Sequence, residues 1–245
     1  MNLPVFAYDS RGHGKSGGQR GHFNSWPELE ADLDAFLTKI VQTQLGSTRL
    51  ILFGNSWGGL QVAHYLSVPV SVARNNQIIG AIVNAPALKV IALSPPLNQI
   101  VNLLGYLAPR FSINEPISGS KVTRDKVFQL ENDQDDMIHG HISMSLGKEI
   151  MAAGNRVLKS DTDFSGLPVL LLQGGQDPII SAKANIEFFA KVAEKNPRVK
   201  VFTVEEGLHE LFTDIEREKV FSTIRDFVLS VSQEEVSGKI EVAHV

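Results

Sequence analysis

Three stretches of this chain carry no polar side chain: Leu50-Ile51-Leu52-Phe53, Ile78-Ile79-Gly80-Ala81-Ile82-Val83 and Val169-Leu170-Leu171-Leu172. A strand with one face in water alternates apolar and polar residues, so uninterrupted runs belong to strands covered on both faces, as in parallel sheets packed between helices. Val5-Phe6-Ala7-Tyr8 and Val199-Lys200-Val201-Phe202 read as shorter strands of the same kind. Helical patterns lie between them. Ser25-Trp26-Pro27-Glu28 fits a capping box with proline in the first turn, and Leu29, Leu33, Phe36, Leu37 and Ile40 follow at helical spacing toward an end near Gly46. Further helices are expected from Trp57 to Leu66 and from Ile215 to Val231. Strands that alternate with helices predict an α/β fold, a mostly parallel sheet flanked by helices.

Between Pro86 and about Pro168 the strand signals stop, and helical patterns appear around Leu97 to Leu107 and Ile142 to Leu158. The organisation predicted is a core of residues 1–87 and 165–231, a helical cap inserted at 88–164, and a mostly polar, flexible tail at 232–245. With 245 residues, 43% hydrophobic and 20% charged, the chain can bury one substantial core. The net charge of −4 leaves no basic stripe for a phosphate backbone, so a nucleic-acid partner is not expected. The absence of cysteine removes disulfides, thiolate nucleophiles and thiolate metal sites. Residues 1–9 lack a basic n-region and a long apolar stretch, and no later run is long enough to span a bilayer, which favours a cytoplasmic location.

Gly54-Asn55-Ser56-Trp57-Gly58 fits G-x-S-x-G directly after a buried strand and directly before a helix, the context a nucleophile elbow requires. The tight turn strains the Ser56 backbone, and small residues two before and two after it, Gly54 and Gly58, are expected to let strand and helix approach. The helix start directs the Trp57 backbone N–H and the positive end of the helix dipole at an oxygen that becomes negative during acyl transfer.

A serine hydroxyl is a weak nucleophile at neutral pH; it needs an imidazole to take its proton and a carboxylate to hold that imidazole in one tautomer. The chain order expected is serine, acid, histidine. Asp177 follows the strand 169–172 through Gln173-Gly174-Gly175-Gln176, and His209 lies in a loop beyond the next strand, in Glu205-Glu206-Gly207-Leu208-His209-Glu210. Asp161 and Asp163 are the rival acids. His13 and His22 precede the nucleophile; His64, His139, His141 and His244 are read as packing or surface residues, because a lone His-x-His without a third ligand is a weak metal signal.

Taken together, Tyr8-Asp9-Ser10-Arg11-Gly12-His13-Gly14-Lys15-Ser16, Gly54-Asn55-Ser56-Trp57-Gly58-Gly59, Gln173-Gly174-Gly175-Gln176-Asp177 and Gly207-Leu208-His209-Glu210-Leu211-Phe212 resemble the monoacylglycerol lipase and lysophospholipase-like branch of the α/β hydrolases, of the serine aminopeptidase S33 type. The resemblance spans residue 3 to about 231. It implies an α/β-hydrolase fold, a serine esterase acting on monoacyl lipids, and Ser56, Asp177 and His209 as triad. Asn55 and Trp57 stand where the family usually has His and Met. The family also begins with further strands and a His-Gly loop that supplies a second oxyanion N–H, and the chain starts after that loop. An N-terminally truncated fold is therefore expected. One lost oxyanion donor costs about 2.7–4 kcal/mol, on the order of 10²–10³ in rate.

The resemblance places a cap over the active site at 88–164. Leu97, Ile100, Val101, Leu104 and Leu107 form an apolar stripe behind Pro95-Pro96, expected to be cap packing. A peripheral membrane contact through the cap stays open. The acidic run Glu131-Asn132-Asp133-Gln134-Asp135-Asp136 is read as a solvated loop rather than a metal site. The reading is hydrolysis of a carboxylic ester through an acyl-serine, with no cofactor and no metal; peptidase and thioesterase activities are not separated from it by sequence. The competing reading is an α/β-hydrolase-like protein that binds a lipid or a partner and is catalytically weak or silent.

Overall fold

The computed structural model describes residues 3–43, 49–67, 77–91 and 95–241. The chain runs through α1 (Trp26–Thr43), β1 (Leu50–Asn55), α2 (Trp57–Ser67) and β2 (Ile78–Asn84), then leaves the sheet. It continues through α3 (Pro95–Leu107), β3 (Ser112–Asn114), α4 (Gly119–Val122), α5 (Lys126–Gln134), β4 (His141–Ser143) and α6 (Met144–Lys159). It returns as β5 (Val169–Gly174), α7 (Ala182–Lys195), β6 (Val199–Val204) and α8 (Arg217–Glu241). Strands β1, β2, β5 and β6 lie side by side in that order, all parallel.

The apolar runs are two-sided, as parallel pairing between helices demands. Leu52, Ala81, Val83, Val169, Leu171 and Val199 face one core with residues of α1, α2, α6 and α7, among them Leu29, Leu60, Val157 and Phe189. Their neighbours Ile82, Leu170, Leu172 and Val204 face the opposite core with Val220, Phe227, Val228 and Val231 of α8. Period-two alternation thus divides the runs of β2 and β5 between two cores, whereas on β1 only Ile51 packs against the second core and Phe53 is exposed.

Several elements differ from the sequence reading. Residues 3–10, which include the expected strand Val5 to Tyr8, form no strand; a strand is held by its ladder, and among the described residues nothing pairs with this segment. Tyr8 nevertheless reaches the core, where its ring lies 4.5 Å from Phe36. Strand β1 passes through Gly54 instead of ending there. The expected end of α1 near Gly46 lies outside the described residues. The capping box is displaced: the Glu28 carboxylate accepts from the Asn24 backbone N–H at 3.0 Å, and the Trp26 N–H donates to Glu149 at 3.1 Å. Within the inserted segment, β3 and β4 pair antiparallel, Ser112 with Ser143. Three residues are too few for alternation to show. The closing helix starts at Arg217 and continues through Glu241, so most of the segment expected as a flexible tail is helical.

The apolar stripe of α3 is divided. Val101 is buried and Leu104 half-buried, but Leu97, Ile100 and Leu107 are exposed, as are Leu103 and Tyr106 outside the stripe. The stripe expected as cap packing therefore turns much of its surface outward.

Candidate active site

At the carboxyl end of β1 the chain reverses within one residue. Ser56 has φ of 54°, the left-handed region that costs a non-glycine residue strain, and α2 begins immediately after it. The Ser56 N–H donates to the Asn84 carbonyl at 2.9 Å, and its own carbonyl accepts from Ala87 N–H at 3.0 Å and Leu60 N–H at 3.0 Å. These bonds to the end of β2 and to α2 hold the bend. Trp57, as the first residue of α2, has a backbone N–H with no partner one turn earlier in the helix.

The small-residue requirement falls differently from the expectation. A Cβ on Gly54 would lie 2.3 Å from the Gly58 carbonyl oxygen, whereas one on Gly58 would meet nothing within 4 Å. Gly59 is the second tight position, with the Asn84 oxygen and the Pro86 Cα both at 3.1 Å from its would-be Cβ. The helix rotates residue 58 outward and residue 59 onto the strand ends. Gly58→Ala is accordingly expected to leave stability unchanged or raise it by up to about 1 kcal/mol. Gly54→Ala is expected to cost about 1–3 kcal/mol through overpacking. Urea denaturation of both variants measures the contrast.

Asp177 and His209 arrive on two loops that share backbone hydrogen bonds: Gly175 N–H to Val204 O at 2.9 Å and Gln176 N–H to Gly207 O at 2.9 Å. Side chains on Gly174 or Gly175 would collide with the other loop, their Cβ atoms falling 1.9 Å from the Leu208 oxygen and 2.3 Å from the Glu205 oxygen. The pair of glycines is thus what lets the two loops touch. The Asp177 Oδ1 accepts from the N–H groups of Ile179 at 2.8 Å and Ile180 at 3.0 Å, and Oδ2 accepts from His209 Nδ1 at 2.7 Å. Behind it, Gln173 approaches Oδ2 and is itself held by Asn185 at 2.8 Å. His209 Nε2 lies 2.8 Å from Ser56 Oγ. Because the carboxylate accepts at Nδ1, that nitrogen carries the proton and Nε2 accepts from the serine hydroxyl. Asp177 and His209 are both buried. The structure brings Ser56, Asp177, His209 and the Trp57 N–H to one place.

The rival acids lie elsewhere: Asp161 pairs with Lys195, and Asp163 caps a short turn at Ser165. His64 is buried on α2, with Nδ1 2.8 Å from Glu30 and Nε2 accepting from Arg156 Nε at 3.1 Å. Since Arg always donates, His64 is the neutral tautomer protonated at Nδ1. Burial, above all, and then Arg156 push its pKa below the ordinary value, against the pull of Glu30. The unfolded chain, with histidine near about 6.5, takes up the proton first. Stability is therefore expected to fall as pH drops below that value, and His64→Gln, which offers a donor and an acceptor without titrating, to narrow the Tm difference between pH 7 and pH 5.

His13 packs on the Trp57 ring, with centroids 5.1 Å apart, and His139 of the inserted segment stacks on His13 at 4.9 Å. His22 bonds Ser143 at 3.0 Å. Among the described residues, no group of three or more His, Asp or Glu side chains could hold a metal ion. Of the acidic run, Asp133 accepts from Gly119 N–H and Asp135 from Met137 N–H. His244 lies outside the described residues.

The inserted segment is hooked to the loop that carries His209. Glu210 N–H donates to Val122 O at 2.7 Å, Thr123 Oγ1 to Thr213 O at 2.9 Å, and the Arg124 guanidinium grips buried Asp214 and Glu216. Sequence reasoning missed this clasp. It also missed Asn84, a buried polar residue at the carboxyl end of an apolar parallel strand, and that placement is itself the signal that could have found it.

The comparisons with known proteins agree with this architecture. A crystal structure of a monoacylglycerol lipase from Paleococcus ferrophilus superposes with a TM-score of 0.80 at 27% identity, over 92% of this chain and 82% of that one. Phospholipase YtpA of Bacillus subtilis is 29% identical over 89% of this chain and 82% of its own length. An abhydrolase domain-containing protein of Dictyostelium discoideum is 28% identical over 93% of this chain, which spans only 23% of that longer protein. Fold and relatives together define a carboxylic-ester hydrolase of the α/β-hydrolase class. Within that class the chain belongs to the family described as serine aminopeptidase, S33, whose pattern matches residues 2–216.

Proposed function

We propose that the protein cleaves the ester bond of a monoacyl lipid, a monoacylglycerol or a lysophospholipid, through an acyl intermediate on Ser56. The observation that carries this reading is the hydrogen-bonded chain from Ser56 Oγ through His209 to Asp177, 2.8 and 2.7 Å per link, set on a strained bend. Ser56 Oγ attacks the ester carbonyl carbon while His209 Nε2 takes the hydroxyl proton. The carbonyl oxygen, now negative, is received by the Trp57 N–H. The tetrahedral adduct collapses, the C–O bond to the alcohol breaks, and His209 returns the proton to the departing alcohol. Water then repeats the sequence on the acyl-serine, with Asp177 stabilising the imidazolium in both halves.

The lipid assignment draws on the relatives, a phospholipase and a monoacylglycerol lipase, and on the apolar surface of the inserted segment. Residues 1–87 with 165–231 act as the catalytic core and 88–164 as cap. Ile100, Leu103, Tyr106, Leu107 and Phe111, all exposed on or just after α3, make this the side that meets a lipid surface. Among the described residues no helix is long and apolar enough to cross a membrane. A peripheral contact from the cytoplasm fits this arrangement.

The test is a substrate panel read beside covalent labelling. Hydrolysis of monoacylglycerol and lysophospholipid is expected to exceed that of peptide anilides and thioesters, with fluorophosphonate labelling lost in Ser56→Ala. Labelling with preference for a peptide or thioester would overturn the lipid assignment; no Ser56-dependent labelling would leave a lipid-binding protein without catalysis.

A further inference from the structure

We infer that Asn84 is a positioning residue for this reaction, which, with Asn55, fastens the loop bearing His209 to the bend bearing Ser56; the inference rests on the triad reading above. Strands β1 and β2 are neighbours in register, Asn55 opposite Asn84, so two amides stand together at the end of the sheet where the nucleophile turns away. Asn84 is fully buried. Its Nδ2 donates twice, to Asn55 Oδ1 at 2.7 Å and to the His209 backbone carbonyl at 3.1 Å. Asn55 Nδ2 in turn reaches the Glu210 carboxylate at 3.3 and 3.4 Å. The buried Asn84 amide thereby joins the residue preceding the nucleophile to the base, and Asn55 extends the link to the residue following the base.

Two features separate this from ordinary packing. The orientation of the Asn84 amide is forced: its two Nδ2 partners are both oxygens, and a flipped amide would face acceptor with acceptor. Moreover, Asn84 Oδ1 has no hydrogen-bond partner among the described residues, so the position carries a desolvation penalty that an apolar side chain on this strand would avoid. The backbone of the same residue accepts from Ser56 N–H. Asn84 therefore holds the nucleophile through its main chain and the base through its side chain, and the separation of the two depends on it. Misplacement by about 1 Å is enough for a loss of about 10²-fold in rate.

Asn84→Leu, close in volume and without donors, is expected to lower kcat by about 10²-fold and KM by less than twofold, and to slow fluorophosphonate labelling by the same factor. The downfield proton resonance of the His209–Asp177 hydrogen bond is expected to broaden, a readout that a purely structural loss elsewhere would not move. Because Asn84 is buried, Asn55→Ala is measured alongside. It removes the acceptor for Asn84 and the donor to Glu210 from a half-buried site, and is expected to lower kcat by about tenfold. The double variant should lose little more than Asn84→Leu alone, since both act through one network. Ser56→Ala separates the two readings. Labelling that survives it removes the triad reading and this inference together. Labelling lost in Ser56→Ala, with wild-type kcat and an unbroadened proton in folded Asn84→Leu or, should that variant not fold, in Asn55→Ala, overturns the inference alone.

Discussion

Ser56→Ala is expected to lower ester hydrolysis by about 10⁶-fold, the loss typical of removing the nucleophile from a serine triad. The hydroxyl sits between Nε2 of His209 and the N-terminal turn of α2. Alanine keeps the backbone bend and its hydrogen bonds and removes only the attacking oxygen. Tm should consequently change little. The measurement is single-turnover hydrolysis beside a thermal melt. A residual rate within tenfold of wild type would mean that another group attacks the ester.

Asp177→Asn is expected to cost about 10⁴ in kcat, by a tautomer effect rather than by loss of a negative charge alone. Asp177 Oδ1 is fixed by the N–H groups of Ile179 and Ile180, so the asparagine oxygen must take that place. Its amide nitrogen then faces His209 Nδ1 and donates to it. The ring proton moves to Nε2, which can no longer accept from Ser56. Folding is expected to survive, because the loop keeps its backbone bonds to Val204 and Gly207. Recovery of wild-type kcat in this variant would place the orienting acid elsewhere.

The parallel sheet was legible because Ile78 to Val83 and Val169 to Leu172 contain nothing but apolar residues, and double-sided burial leaves few other solutions. Ser56, Asp177 and His209 could be named from local context, since a bend between strand and helix and two loops at strand ends are sequence-local features. What stayed hidden depends on tertiary neighbours. Whether Val5 to Tyr8 is a strand is decided by a ladder partner, not by its own residues. Gly58 and Gly59 look equivalent in the motif, and only the rotation of α2 makes the second the tight one. The side of α3 that packs could not be read because the helix is apolar on more than one face.

The clasp between residues 122–125 and 210–217 bears on how such a protein diversifies. A covering segment merely resting on the sheet could change its lining residues freely while the chemistry below stayed constant. Here the peptide beside the imidazole is bonded directly to Val122, and Asp214 is gripped from Arg124. Selection for a new acyl group that shifts this stretch will drag on the proton-transfer geometry as well. On the function proposed above, specificity and turnover are coupled along this seam, and variants recovered there should show correlated changes in both.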